Sequence, residues 1–358
     1  MGRHAGSGGL RDRAHQAELT TAGRPSATIL RGLPDRPLVS VVTPTLNQAR
    51  FLERTLDSVR RQTYPRIEHV VVDGGSTDGT IDILKRVANA DRTDGRPMVG
   101  MPNGALQWQS APDRGMYDGI NKGLSLAKGE ILAYLNSDDA WLPWAVERVV
   151  QVFERQPSVD LVFGDGVKVV EQTGVQRLRL FPPFDQVSLA NYESLMQPAV
   201  FWRRRLTERI GGFDIAMRYV ADLDYWLRAS EAGAEIAHVR EVLAVERIHE
   251  GRLSSVQSEA MAAEDAAMRA KHAGDQGGPA GRQRAEERDI RWRRWLWAAF
   301  VATASLRQAP GPWHTFLRDG GVTVRRRRAL RASQKGHPKL LWGAVTSAAA
   351  AALLRVDD

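Results

Sequence analysis

Three strand-like runs in the first half of the chain each end in a short loop of turn-forming and polar residues, and each is followed by a helical pattern. Leu38–Val42 runs into Thr43-Pro44-Thr45, after which Phe51, Leu52, Leu56 and Val59 recur at helical spacing, with Asn47 as the expected cap. Ile67–Val72 ends at Asp73-Gly74-Gly75-Ser76-Thr77-Asp78-Gly79-Thr80. Glycine's access to positive φ suits such a loop, and Asp78 stands where it would cap a helix beginning near Ile81. Ile131–Leu135 ends at Asn136-Ser137-Asp138-Asp139, ahead of a helix expected over 143–155. Strands that alternate with helices in this way build an α/β fold on a parallel sheet, whose ligands collect at the carboxyl ends of the strands.

The same reading places a helix over 119–127 and a strand over 160–163. Beyond residue 165 the pattern is mixed, with strands expected at 167–170 and 199–202. A helix over 222–232 follows the turn Gly211-Gly212-Phe213-Asp214, and an Ala-rich helix is expected over 260–270, before a glycine-rich linker at 274–281. Residues 1–35 are charged and glycine-rich with no apolar run, and read as a disordered segment.

Charge divides the chain. Of a formal net charge of +8, residues 282–358 carry 16 Lys/Arg against 6 Asp/Glu, leaving the rest slightly acidic. The basic character therefore belongs to the tail, which suggests a partner of its own for that segment. The absence of cysteine excludes disulfides and thiolate metal sites.

The acidic strand-end loops bring Asp73, Asp78, Asp138 and Asp139 toward one sheet edge. One Asp after a strand is most simply a helix cap. Two clusters after successive strand–helix units fit a site for a nucleotide diphosphate, where polar acceptors hold base and ribose and a hard cation neutralises the leaving group.

Val39-Ser40-Val41-Val42-Thr43-Pro44-Thr45-Leu46-Asn47, the 73–80 loop and Leu135–Asp139 together resemble the family 2 inverting glycosyltransferases, which have the GT-A fold. Ser110-Ala111-Pro112-Asp113-Arg114-Gly115-Met116-Tyr117-Asp118-Gly119-Ile120-Asn121-Lys122-Gly123 resembles the segment between that family's nucleotide loop and its metal motif. Gly211–Asp214 followed by Ala221-Asp222-Leu223-Asp224-Tyr225-Trp226-Leu227-Arg228 resembles its acceptor-side signature. The likeness covers about 36–255 and implies three parts: a segment over 1–35, a GT-A domain over 36–256, and a helical basic extension over 257–358. Within the domain, 36–165 would be the nucleotide-sugar half and 166–256 the acceptor half.

The resemblance implies that Thr43, Pro44, Thr45 and Asp73 surround the nucleotide, with Asp78 either assisting or only capping its helix. Asn121 and Lys122 would face the diphosphate, unless Lys122 is an ordinary solvated helix lysine. Asn136-Ser137-Asp138 occupies the Asp-X-Asp position, with Asn in place of the first acid; Asp138 is the implied ligand of a divalent metal, Mn2+ or Mg2+. His249 would reach the metal or the diphosphate, or else be structural. Asn136 would also bind the donor, and Gln197 and Asp224 would contact donor or acceptor. Asp222 matches the general base that takes the acceptor proton, and Asp224, two residues on, is its competitor.

The tail interleaves Trp292, Trp295 and Trp297 with Arg291, Arg293 and Arg294. Such a mixture suits a helix on an anionic lipid surface, with a packed lid or dimer contact as the alternative. Its apolar runs are shorter than the roughly 20 residues that span a bilayer. The expected partners are thus a nucleotide-diphosphosugar donor, a glycan or lipid-linked glycan acceptor and an anionic membrane, with nucleic acid disfavoured because no reading module accompanies the basic run. The expected location is cytoplasmic, peripheral on the inner membrane face. The competing readings are an inactive binding or scaffold protein of the same fold and a sugar nucleotidyltransferase.

Overall fold

A computed structural model describes residues 36–93, 106–191, 194–253 and 259–272, together with Gln283, Glu287 and Arg291. The elements run β1 (Val39–Thr45), α1 (Leu52–Arg60), β2 (Ile67–Asp73), α2 (Thr80–Thr93), β3 (Gln107–Ser110), α3 (Met116–Leu126), β4 (Ile131–Tyr134), β5 (Ala140–Trp141) and α4 (Ala145–Arg155). Then follow β6 (Leu161–Val170), β7 (Val175–Arg179), α5 (Gln186–Asn191), β8 (Val200–Arg203), α6 (Arg204–Ile210), α7 (Ala221–Glu231), β9 (Ile236–Ile248) and α8 (Glu259–Lys271).

The sheet order is β3-β2-β1-β4-β8-β6-β9-β5, with β7 also on β6. β1, β2, β3 and β4 are mutually parallel, as is the long β6–β9 pair, while β8 is inserted antiparallel between the two sets. The parallel pairing follows from burial: every residue of β1, β2 and β4 is buried, as strands covered on both faces must be. It also puts the carboxyl ends of β1, β2 and β4 on one edge. Helix α3 lies against β1 at a distance only glycine allows, since a β-carbon at Gly123 would sit 2.3 Å from Val42 Cγ1.

Several elements differ from expectation. The two strands at 160–163 and 167–170 are one strand, β6, which changes register through an irregularity at Gly164–Gly166 and so serves two neighbours on one edge, β8 first and β7 after. The 13-residue β9 has no clean alternation to announce it, because most of its second half is buried on both faces. Asn47 does not cap α1. It adopts φ 52°, tolerable for asparagine, and its Oδ1 accepts from the Thr77 amide 2.8 Å away, tying the first strand-end loop to the second.

The packed domain also continues past 256. Met268 of α8 is 2% exposed in the main core, so the Ala-rich helix belongs to the catalytic body. The expectations for 1–35, for the linker at 274–281 and for almost all of the basic tail lie outside the described residues. Among the described residues no helix is long and apolar enough to cross a membrane.

Candidate active site

The strand-end edge opens into a cleft of about 670 Å³. Pro44, Thr45, Asn136, Asp138 and Gln197 line it from the expected set, as does Asp222. Thr43, Asp73, Asp78, Asn121, Lys122, Asp224 and His249 do not.

The second loop explains part of this division. Asp73 is fully buried and its carboxylate is saturated from within. Oδ2 accepts from the Gly75 and Ser76 amides at 2.9 Å and from Ser110 Oγ at 2.7 Å, while Oδ1 accepts from Ser76 Oγ at 2.5 Å. It holds the glycine loop and β3 together. Asp78 caps α2, as its position suggested: Oδ1 accepts from the Thr80 amide at 3.1 Å and from its hydroxyl at 2.6 Å. Its Oδ2 accepts from the Ala49 amide at 3.0 Å. Thr43 Oγ1 bonds His69 Nε2 at 2.9 Å in the core, where burial lowers His69 to about 3 and keeps it neutral.

Asn121 is a clamp. Its Oδ1 accepts from the Phe213 amide at 2.9 Å and its Nδ2 donates to the Phe213 carbonyl at 2.7 Å, which spends the whole amide on the Gly212-Phe213 turn. Lys122 pairs with Asp118 at 3.1 Å. Asp118 also pairs with Arg114, whose hydrogen bonds hold it well below the usual carboxylate range. Neither Asn121 nor Lys122 lines the cleft, and both have partners within the protein.

The third loop is different. Thr45 and Asn136 line the cleft, and their side-chain oxygens, Oγ1 and Oδ1, are buried without a hydrogen-bond partner among the described residues. Asn136 Nδ2 donates to Gln197 Oε1 at 3.0 Å, and Gln197 Nε2 donates to the Tyr134 carbonyl at 3.0 Å. Asp138 Oδ2 lies 3.0 Å from His249 Nε2, on the end of β9. His249 thus joins the cleft through Asp138. Behind them Asp139 is fully enclosed; burial and then the Asp138 charge push it well above the carboxylate range. Arg252 enters the cleft beside these acids, held by Glu246 at 2.5 Å, which in turn pairs with Lys168 at 3.1 Å. Burial alone would lower Arg252, but Glu246, Asp139 and Asp138 outweigh it and leave the guanidinium firmly charged.

Among the described residues no three His, Asp or Glu side chains converge as a metal site. The protein offers Asp138 and His249, whose Oδ2 and Nε2 lie 3.0 Å apart. That donor set fits a hard cation whose remaining ligands are substrate phosphates and water.

Asp222 and Asp224 face opposite ways from the first turn of α7. Asp222 is half-buried in the cleft wall. Tyr117 Oη and the Leu223 amide donate to its Oδ1 at 3.2 and 2.9 Å, and Tyr134 Oη stands 3.5 Å from Oδ2. Burial raises its pKa, against the pull of these donors and of Arg252. Beneath it Phe213 packs on Tyr117, Tyr134, Tyr225 and Trp202 with centroids 4.5–6.1 Å apart, a nest that fixes both phenols. Asp224 is fully buried on the other side, where Arg228, Lys271 and His272 reach it at 2.7–2.9 Å. Burial opposes its ionisation, yet these three partners hold it at about 2. Such a carboxylate, already committed to three partners, is unavailable as a base.

Residue reading missed Arg252, Tyr117, Tyr134 and the Ile215–Tyr219 wall. Arg252 had a signal, standing three residues after His249. The tyrosines read simply as core, and nothing local marks the wall.

The chain matches the Glycosyl transferase family 2 model over residues 40–211. It is 34% identical over 221 residues to a PGL/p-HBAD biosynthesis glycosyltransferase of Mycobacterium bovis, covering 61% of this chain and 80% of that one. It is 34% identical over 197 residues to an uncharacterized glycosyltransferase of Mycobacterium tuberculosis, covering 54% and 69%. In fold it resembles residues 1–349 of S. aureus TarS, solved in complex with UDP-GlcNAc, with a TM-score of 0.51 at 21% identity, covering 64% of this chain and 66% of that one. With its α/β body, its strand-end cleft and these relatives, the chain belongs to glycosyl transferase family 2 and is a glycosyltransferase.

Proposed function

We propose that the cleft moves a sugar from a nucleotide-diphosphosugar to a hydroxyl acceptor with inversion of configuration, in the biosynthesis of a surface or related glycan. The observation that carries this is the pairing, in one cleft, of an acid-and-arginine corner at Asp138 and Arg252 with a second carboxylate, Asp222, whose hydrogen bonds among the described residues come from phenols and an amide. The first corner suits a charged diphosphate. The second suits an acceptor hydroxyl that must lose a proton.

In this reading Thr45 and Asn136 form part of the nucleotide-sugar wall, and Gln197 holds the Asn136 amide in place. Pro44 and Thr45 contact the nucleotide, and Asp73 and Asp78 act indirectly, by holding the loop in shape. A divalent cation held by Asp138, with His249 behind or beside it, would neutralise charge on the departing diphosphate. Arg252 adds a fixed positive charge there without needing the cation. Asp222, raised by burial, takes the proton from the acceptor hydroxyl as that oxygen attacks the anomeric carbon. Attack from the face opposite the leaving diphosphate inverts the centre, with no covalent sugar–enzyme step. The solved complex of the TarS neighbour with UDP-GlcNAc supports a nucleotide-sugar donor. The arginine–tryptophan composition of the tail supports contact with an anionic membrane, where a lipid-linked acceptor would be met.

The test is a thermal-shift screen of UDP, GDP and other nucleoside diphosphates with and without Mn2+. A ligand that binds only the native state raises the melting temperature, by about 2.7 kcal/mol of stability at 100 times its Kd. At least one diphosphate should do so, more strongly with the metal. No shift from any of them overturns the donor reading.

A further inference from the structure

We infer that Glu264, on α8 and outside the family-matched segment, is a positioning residue that sets the acceptor-side wall of the cleft and, through it, the environment of Asp222. The inference rests on the reading of Asp222 as the base.

The wall is the backbone from Ile215 to Tyr219, every residue of which lines the cleft. It leads straight into α7, whose N-cap position, Val220, makes no side-chain cap of its own. Glu264 supplies the missing acceptors from another helix. Its Oε1 accepts from the Tyr219 amide at 2.6 Å and from the Val220 amide at 3.0 Å, and its Oε2 accepts from the Arg218 amide at 2.9 Å. One carboxylate thus gathers three consecutive amides, in bonds strengthened by its charge.

The consequence reaches the base through one peptide unit. In the peptide unit that joins Tyr219 to Val220, the Val220 N–H goes to Glu264 Oε1 at 3.0 Å and the Tyr219 carbonyl accepts from Tyr117 Oη at 3.2 Å. The same hydroxyl lies 3.2 Å from Asp222 Oδ1. The phenol therefore divides its proton between a carbonyl that Glu264 fixes and the carboxylate that must accept a proton. If the carbonyl drifts, the division changes, and with it the basicity and aim of Asp222.

α8 is anchored elsewhere along its length. Met268 is in the core, Arg269 Nη1 donates to the Ala190 carbonyl at 2.6 Å, and Lys271 and His272 grip Asp224. Removing the Glu264 carboxylate frees the wall without detaching the helix. A substitution there separates positioning from folding.

The test uses the full chain, wild type against Glu264→Ala, Glu264→Gln and Asp222→Asn, with two measurements. The first is amide hydrogen exchange. Glu264→Ala should speed exchange over residues 215–223 by about tenfold or more while peptides covering 266–272 keep their protection. The second is nucleoside diphosphate release from whichever of UDP-GlcNAc, UDP-glucose and GDP-mannose the wild type hydrolyses fastest, with water as acceptor. Glu264→Ala should lower kcat about tenfold with the donor KM within twofold, and should move the acidic limb of the kcat–pH profile. Glu264→Gln, which keeps one oxygen for the Tyr219 and Val220 amides, should fall between. Unchanged exchange over 215–223 overturns the inference. So does a kcat and an acidic limb that match wild type while Asp222→Asn is slow. An Asp222→Asn enzyme as fast as wild type would sink the base assignment instead, which the exchange result does not depend on.

Discussion

Two acidic loops leave the same edge of the sheet, one after β2 and one after β4, and the protein uses them in opposite ways. In the first, Asp73 has donors on both oxygens, all from its own loop and the neighbouring strand, and is closed to solvent. In the second, Asn136 has a buried oxygen without a partner among the described residues, Asp138 lines the cleft and a half-buried arginine, Arg252, lies beside it. A loop whose acceptors are all satisfied internally is a frame. A loop that holds buried acceptors and charge in excess of its own donors has reserved them for a ligand, since leaving such groups unpaired costs on the order of 1–3 kcal/mol each.

The largest expected effect breaks the second loop. Asp138→Asn should lower turnover by roughly 1,000-fold, because a neutral amide is a poor ligand for a hard cation. It should also abolish the gain that Mn2+ gives to nucleoside diphosphate binding, while leaving the melting temperature near wild type. Retained activity with normal metal dependence would return Asp138 to the frame.

Next comes the contrast within α7. Asp222→Asn should cost roughly 100-fold in kcat, the usual range for a lost general base, with diphosphate affinity unchanged. Asp224→Asn should cost little in kcat but about 2 kcal/mol in stability, because it strands Arg228, Lys271 and His272 around a neutral group. That figure is below the full penalty for a broken buried pair because Lys271 is half exposed. Chemical denaturation paired with initial rates separates the two, and equal rate losses would erase the distinction.

The frame has a signature of its own. Asp73→Asn should destabilise by about 2 kcal/mol, since an amide nitrogen cannot accept from donors that remain buried. Donor affinity should fall only as far as the loop loosens, measured as binding at a temperature where the variant is fully folded. A loss of binding with stability intact would make Asp73 a direct ligand.

A further effect is on pH. His69, under Thr43 at the base of this frame, is held at about 3 against an unfolded value of 6.5. Between those values the unfolded chain binds the extra proton, so stability is complete above pH 6.5 and falls as pH drops below it. The loss should reach about 2 kcal/mol by pH 5. Urea titrations at pH 7 and pH 5 read it, and His69→Gln should flatten that slope. The raised Asp222 should likewise place the acidic limb of kcat above the usual carboxylate range.

Much of the first half was legible because its signals are local. Valine-rich strands, loop glycines and the apolar positions of α1 specify parallel β–α units without any knowledge of distant contacts, and α2, whose first amide bonds Asp78, starts where its sequence places it. Asp138 and Asp222 were legible as positions because the motifs around them are compact. Their use as ligand and base remains a matter for the variants above.

What the chain could not announce locally is which polar atoms are already spent. Asn121 and Asn136 are the same residue type on the same side of the sheet. One gives both its amide oxygen and its nitrogen to the Phe213 backbone, 92 residues on, and the other leaves its buried oxygen without a partner among the described residues. Asp222 and Asp224 stand two residues apart on one helix, yet the aromatic nest raises the first and the cations of α7 and α8 lower the second. Periodicity and turn chemistry depend on neighbours in sequence and so are written in it. Hydrogen-bond satisfaction and burial depend on neighbours in space, and only the folded packing of α3, α7, β9 and α8 around the cleft decides them.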